Sequence, residues 1–259
     1  VAPALVDTHC HLAFEAFSAD REQVIARARD AGVVACVVVA VDARSADEAL
    51  CLSRSHPGWA HASAGVHPTE PLVGSADEFA RVAERVASGH FVAVGETGLD
   101  AFHDTTPMDV QRASLERHLA LAVEQQLPVI LHCRDAFQQM DEALQPWEGS
   151  GLTGVLHCFT GSAADVEPLL ERGLQIGVGG IATFKANAAL REAVREIPAE
   201  RLLVETDAPW LSPSPMRGRR NEPAFVAHVA SALAADRDVP LDDFAACVTA
   251  NARALFALD

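Results

Sequence analysis

Five short segments of the chain each carry a potential metal ligand where an apolar run stops: Asp7 to His11, Gly95 to Leu99, His132 to Arg134, His157 to Phe159 and Glu205 to Pro209. The candidate ligands are His9, His11, Glu96, His132, His157 and Asp207. Imidazole and carboxylate together suit zinc, manganese or iron, whereas magnesium takes more oxygen ligands and water. Four histidines and two carboxylates are enough to hold two divalent ions, whether Zn²⁺, Mn²⁺ or Mg²⁺. Two ions about 3.5 to 4 Å apart share a water, lower its pKa and stabilise both the attacking and the leaving oxygen of a phosphodiester displacement. Such a pair needs an anionic bridge. The one lysine, Lys185, lies beyond the seventh apolar run, so Glu96 is the expected bridge rather than a carbamylated lysine. Asp207 is expected to bind metal and to take a proton from the attacking water, which makes Glu96 and Asp207 the catalytic pair.

Each assignment competes with a plainer one. A lone buried histidine is more often a satisfied core residue than a ligand, but six convergent candidates reverse that balance. His9 and His11 are two apart and face one side of an extended strand, so Cys10 faces the other. The same alternation turns Cys133 and Cys158 away from the site as outer packing. Glu205 shares a face with Asp207 and either supports the ligands or pairs with Arg134. His67, in Gly65-Val66-His67-Pro68, either touches substrate phosphate or is a satisfied loop histidine. His56, His61, His90, His118 and His228 have no comparable setting. The dense basic cluster Arg217, Arg219 and Arg220 reads either as a solvated loop or as phosphate-binding, with Arg217 and Arg219 the candidates for substrate.

These residues need elements to bring them together. Apolar runs at Leu5 to His9, Val33 to Val41, Ala60 to Val66, Phe91 to Gly95, Pro128 to His132, Gly154 to His157, Leu174 to Val178 and Leu202 to Glu205 alternate with amphipathic stretches. Eight such runs predict an α/β fold, a (β/α)8 TIM barrel spanning residues 1–259 as a single domain. Ser45 with Glu48 and Asp135 with Gln138 resemble capping boxes. Helices are expected over Pro223 to Asp236 and Leu241 to Leu258, the second closing the barrel from outside. Active sites of such barrels lie at the C-terminal strand ends, where all six ligand candidates fall.

At 49 % apolar and 22 % charged residues, the chain can bury a full core and is not of disordered type. It has no apolar run of the roughly 18 residues that a membrane helix needs, and Val1 to Leu12 has no cationic leader. Six cysteines without a Cys-x-x-Cys pair read as reduced thiols. A soluble, cytoplasmic protein with no membrane contact and no obligate protein partner is expected. The net charge of −16 repels a polyanion at long range, so nucleic-acid binding would depend on local charge.

The motifs Asp7 to Leu12 (Asp-Thr-His-Cys-His-Leu), Gly65 to Pro68, Gly95 to Asp100 (Gly-Glu-Thr-Gly-Leu-Asp), His132 to Ala136, His157 to Gly161, Glu205 to Leu211 (Glu-Thr-Asp-Ala-Pro-Trp-Leu) and Arg217 to Pro223 closely resemble those of the TatD family of metal-dependent deoxyribonucleases, within the amidohydrolase-like barrels. The resemblance spans most of the chain in order. It implies a barrel nuclease with the six ligands above and Glu96 between the ions. It further implies action on DNA from the 3′ ends of single strands, with links in some members to DNA fragmentation or repair. Two departures stand out: Ala101, Phe102 and His103 occupy positions where aromatic and basic residues are common, and Arg219 replaces the usual lysine, keeping charge but changing its geometry. The expected function is a 3′-5′ exodeoxyribonuclease using two-metal activated water. The same ligands would also serve an ester or amide hydrolase, such as a D-aminoacyl-tRNA deacylase, and a non-catalytic metal-bound scaffold is the third reading.

Overall fold

The computed structural model describes residues 2–259. Eight strands, β1 (Leu5–Cys10), β2 (Val33–Val38), β3 (Ala60–Ala64), β4 (Ala93–Asp100), β5 (Val129–Arg134), β6 (Gly154–Leu156), β7 (Gln175–Val178) and β8 (Leu202–Val204), form one sheet in sequence order. Every neighbouring pair is parallel. The helices α1 (Arg21–Asp30), α2 (Ala43–Ser55), α3 (Ala76–Ala87), α4 (Met108–Gln125), α5 (Phe137–Leu144), α6 (Ala163–Glu171) and α7 (Ala188–Glu196) connect successive strands, and α8 (Val226–Asp236) and α9 (Leu241–Phe256) follow β8. This is the (β/α)8 barrel read from the sequence. The strands are apolar on both faces because one face fills the barrel and the other meets the helices.

Those faces form two separate hydrophobic clusters. Val6, Ala35, Val37, Ala93, Ile130, Val155 and Leu203 pack inside the barrel and continue into Ala252, Phe256 and Leu258. The end of α9 therefore plugs the N-terminal end of the barrel as well as covering its outside. The larger cluster, with Leu5, Cys36, Val94, Val129, Leu131 and Leu156, lies between strands and helices.

The interior set also shows how the site residues come to face inward. From Ile130 in β5, Val155 in β6 and Leu203 in β8, simple alternation brings His132, His157 and Glu205 to the same side. In β1 and β4 it fails: counting by twos from Val6 or Ala93 puts Cys10 and Gly95 inside and turns His9, His11 and Glu96 outward. Both strands are irregular just there. Asp7 pairs with Cys36 and Cys10 with Val38, while Val94 pairs with Val129 and Thr97 with Leu131. Three residues advance against two in each case, and the extra residue reverses the facing of everything after it. The two bulges thus deliver His9, His11 and Glu96 to the mouth.

Local markers differ from expectation in places. The capping box of α2 is Asp42 with Ser45, whose backbone N–H donates to Asp42 Oδ1 at 2.7 Å while its hydroxyl accepts from Asp42 N–H at 3.0 Å; Ser45 is inside the helix, not its cap. Asp135 adopts a left-handed conformation (φ 53°), and Ala136 stands at the start of α5 with no side-chain cap. Strand β4 begins later than the apolar run suggests and continues to Asp100, because the polar residues Glu96, Thr97 and Asp100 are buried with it. A 3-10 turn at Pro223–Phe225 precedes α8. Among the described residues no helix is long and apolar enough to cross a membrane.

Gly65, just after β3, lies directly against the β4 bulge. A Cβ there would sit 2.5 Å from Gly95 Cα and 2.6 Å from Glu96 O. Backbone cannot yield as a side-chain tip can, so Gly65→Ala is expected to cost roughly 1–3 kcal/mol of stability, read as a lower urea midpoint. An unchanged midpoint would show that the bulge has slack.

Candidate metal centre

The six expected ligands converge at the C-terminal mouth around one buried carboxylate. Glu96 Oε2 lies 3.3 Å from His9 Nε2 and 3.6 Å from His11 Nε2, and Asp207 Oδ1 lies 3.8 and 3.5 Å from the same two nitrogens. Glu96 Oε1 points the other way, 2.7 Å from His157 Nε2, 3.0 Å from His132 Nδ1 and 3.4 Å from His67 Nε2. Each oxygen of Glu96 therefore serves its own group of donors. The donor types in both groups, imidazole and carboxylate, suit a divalent metal such as zinc, manganese or iron. Both compact triads that include Glu96, His9-His11-Glu96 and His67-Glu96-His132, are tight enough to hold an ion.

Surrounding bonds fix these side chains. Asp7, fully buried, accepts from Thr206 N–H at 2.9 Å and Thr206 Oγ1 at 2.6 Å. It ties β1 to the segment carrying Asp207, and its burial pushes its carboxyl up to about 8. Glu205 accepts from Cys158 N–H and lies 3.5 Å from His157 Nδ1. It therefore stands behind His157, and the alternative pairing with Arg134 is not formed; Arg134 instead lies over the Phe102 ring at 4.7 Å. Asp207 is left-handed (φ 57°), so its direction comes from a turn rather than from strand alternation. Cys10 faces away and meets Cys36, Sγ to Sγ 3.0 Å. Cys133 and Cys158, expected to be turned away, both border the mouth cavity, Cys158 because its backbone is left-handed (φ 47°).

The electrostatics follow from putting four carboxylates, Glu96, Asp100, Glu205 and Asp207, among histidines away from water. Burial alone would raise Glu96, but His157, His67 and His9 outweigh it and hold its carboxyl well below the usual range. Burial likewise opposes ionisation of Asp207, and His11 and His9 overcome it. Burial lowers His9 and His67, with Glu96 partly offsetting it. His157 and His132 are raised against their own burial, His157 by Glu96 and Glu205 and His132 by Asp100 and Glu96. The cluster thus draws positive charge to itself.

A cavity of about 610 Å³ opens above these residues, with Phe14, Arg134, Trp210 and Leu211 on its walls. Trp210 is 49 % exposed and Phe102, beneath Arg134, 58 %. His67 borders the cavity, its Nδ1 2.8 Å from Thr69 Oγ1. The arginine cluster is elsewhere: Arg217 lies over Phe184, Arg220 is tied to Asp20 at 2.7 Å, and neither these two nor Arg219 is among the cavity's lining residues. Sequence reading missed Arg134, Phe14 and Trp210 as cavity residues, and missed Asp100, whose Oδ2 lies 3.0 Å from His132 Nε2. Asp100 was findable, since four residues beyond Glu96 it shares that residue's face. Phe14 carries no such signal.

A parallel barrel gathering histidines and carboxylates at its C-terminal mouth defines the class of metal-centred barrel hydrolases. A family profile described as TatD related DNase matches residues 6–257, and the chain belongs to that family. It is 41 % identical to the 3′-5′ ssDNA/RNA exonuclease TatD of Erwinia amylovora, covering 98 % of this chain and all of that one. It is 36 % identical to the uncharacterized metal-dependent hydrolase YabD of Bacillus subtilis over the same shares. The crystal structure of YjjV, a TatD homolog from Escherichia coli K12, superposes with a TM-score of 0.93 at 32 % identity over 98 % of each chain.

One histidine outside the cluster positions the loop that carries His67. His118 of α4 is fully buried, its Nδ1 donates to Ser114 O at 2.8 Å, and its Nε2 accepts from Val66 N–H at 3.1 Å. Burial holds its pKa down to about 4 against an ordinary 6.5. The unfolded chain therefore binds a proton below pH 6.5 that the folded chain refuses until about 4. Stability should fall as pH drops through that window, with roughly 3 kcal/mol at stake. His118→Gln is expected to start less stable, by about 1–3 kcal/mol for the disturbed pairing, and to lose one proton's worth of acid dependence in denaturation curves. The same slope in both proteins would remove His118 from this role.

Proposed function

We propose that residues 1–259 form one metal-dependent hydrolase unit that shortens single-stranded DNA or RNA from the 3′ end, with His9, His11, Glu96 and Asp207 holding one divalent cation and Glu96, His132 and His157 a second. The observation that carries this reading is the buried Glu96, each of whose oxygens faces a separate set of histidines. The names of the relatives supply the substrate class: one is a 3′-5′ ssDNA/RNA exonuclease. When bound, the two cations supply Lewis-acid stabilisation of phosphoryl oxygens and a lower pKa for water.

The chain's own residues do the rest. Asp207, held ionised by His11 and His9, receives the proton given up by the attacking water. Its side chain keeps 13 % exposure towards the cavity, so it faces substrate while anchored. His67 orients the phosphate beside Glu96. Arg134 is the cation on the cavity wall, and a guanidinium matches two phosphate oxygens at once. Trp210 and Phe14 offer rings to the terminal bases, since stacking tolerates any base. Arg217 and Arg219, outside the cavity, would meet phosphates further along the strand.

The −16 charge favours a short, end-bound strand over extended duplex. The binding slope against log salt should be shallow, about −0.7 for each phosphate neutralised on a single strand. A steep slope would indicate many contacts and overturn that part. The function itself is tested with 3′-labelled single-stranded DNA and RNA, metal-stripped protein, and Mg²⁺, Mn²⁺ or Zn²⁺ restored. Label release should need the ion, and Glu96→Gln should slow it by roughly 10²- to 10³-fold. Failure to cleave either polymer with any ion, alongside turnover of an aminoacyl ester, would replace this reading with an ester hydrolase.

A further inference from the structure

Asp100, the last residue of β4, is buried at the back of His132 and takes part in none of the chemistry assigned above. Its carboxylate accepts four hydrogen bonds. Oδ1 receives the backbone N–H groups of Phe102 at 3.0 Å and His103 at 2.8 Å. Oδ2 receives His132 Nε2 at 3.0 Å and His103 Nδ1 at 2.9 Å. The backbone of Asp100 is held in turn by Gln111, buried in α4, whose Oε1 accepts from Asp100 N–H at 2.7 Å and whose Nε2 donates to Asp100 O at 3.0 Å.

The consequence for His132 follows from proton counting. A carboxylate only accepts, so His132 Nε2 must carry the hydrogen that it donates to Asp100. The other nitrogen, Nδ1, faces Glu96 Oε1 at 3.0 Å and His157 Nε2 at 3.5 Å, and with Nε2 committed to Asp100 it is Nδ1 that is left to offer a lone pair to a cation held by Glu96. The geometry points to Asp100 as a positioning residue that selects the metal-competent tautomer of His132. The same carboxylate pins the loop bearing Phe102 and His103, so the ligand and the cavity wall beneath Arg134 are set by one side chain. Gly98 leaves the space this needs: it pairs with His132, and a Cβ at Gly98 would collide with His132 O.

This inference rests on the proposed metal centre and is tested so that the two can fail separately. In Asp100→Asn the two backbone N–H donors keep the amide oxygen at the Oδ1 position, which turns the NH₂ towards His132. Nε2 must then accept, the proton moves to Nδ1, and Nδ1 can no longer ligate. Calorimetric titration of metal-stripped protein with Mn²⁺ or Zn²⁺ should show two sites in the wild type and, in Asp100→Asn, one site unchanged and one weakened about 10- to 100-fold. His132→Ala should lose the same site, and the double variant should lose no more than His132→Ala alone. In Zn²⁺-loaded wild type, imidazole ¹⁵N resonances should show His132 with hydrogen on Nε2, a readout that does not need the variant to fold.

No metal binding by the wild type would sink the metal centre itself. Two undiminished sites in a folded Asp100→Asn, an additional loss in the double variant, or hydrogen on His132 Nδ1 in the loaded wild type would overturn the role of Asp100.

Discussion

A barrel of parallel strands is stable only if its last strand returns to its first, and here that closure runs through the residues of the site. β8 ends at Val204, and the hydrogen bonds that join its continuation to β1 are Asp207 N–H to His9 O at 2.9 Å and His11 N–H to Ala208 O at 2.8 Å. Asp7 adds its two bonds to Thr206, and Thr8 Oγ1 donates to Val204 O at 3.1 Å. The backbone that carries three of the six proposed ligands is thus the backbone that shuts the sheet. Precision at the site needs no separate scaffold, because a shift of His9 against Asp207 would also open the barrel.

Closure places a carboxylate where water is scarce, and this sets the chemistry. An ionised Glu96 without compensation would be far more costly than any hydrogen bond could offset. The chain surrounds it with imidazoles from β1, β5 and β6 and with His67, groups that accept either protons or metal. Positive charge is therefore part of the folded state. Which cation supplies it depends on conditions, but the demand is built into the interior.

The outer surface is organised on a different principle. The wall of the mouth presents Arg134 over Phe102 on one side and Phe14 beside Trp210, with rings 5.8 Å apart, on another. Arg220, the densest part of the basic cluster in sequence, is spent on Asp20 and Ala16 and holds the segment after β8 against the start of α1. Proximity in sequence is a poor guide to local charge.

The alternation of apolar runs with helix-length segments was enough to reveal eight strands, since a strand buried on both faces must be apolar throughout and its neighbours must cross over. The candidate site residues were legible for a similar reason: histidine and carboxylate where an apolar run stops have few purely structural explanations when this recurs five times. Alternation also placed His132 and His157 correctly. It could not place His9, His11 or Glu96, because an extra residue in β1 and another in β4 reverse the facing, and a bulge is decided by pairing with the neighbouring strand rather than by the strand's own residues. The direction of Asp207 and Cys158, the presence of Arg134 rather than the Arg217–Arg220 stretch on the cavity wall, and the seat of Asp100 behind His132 were decided by tertiary structure alone, since each depends on which backbone or side chain arrives from a distant segment to fill a hydrogen bond or a space.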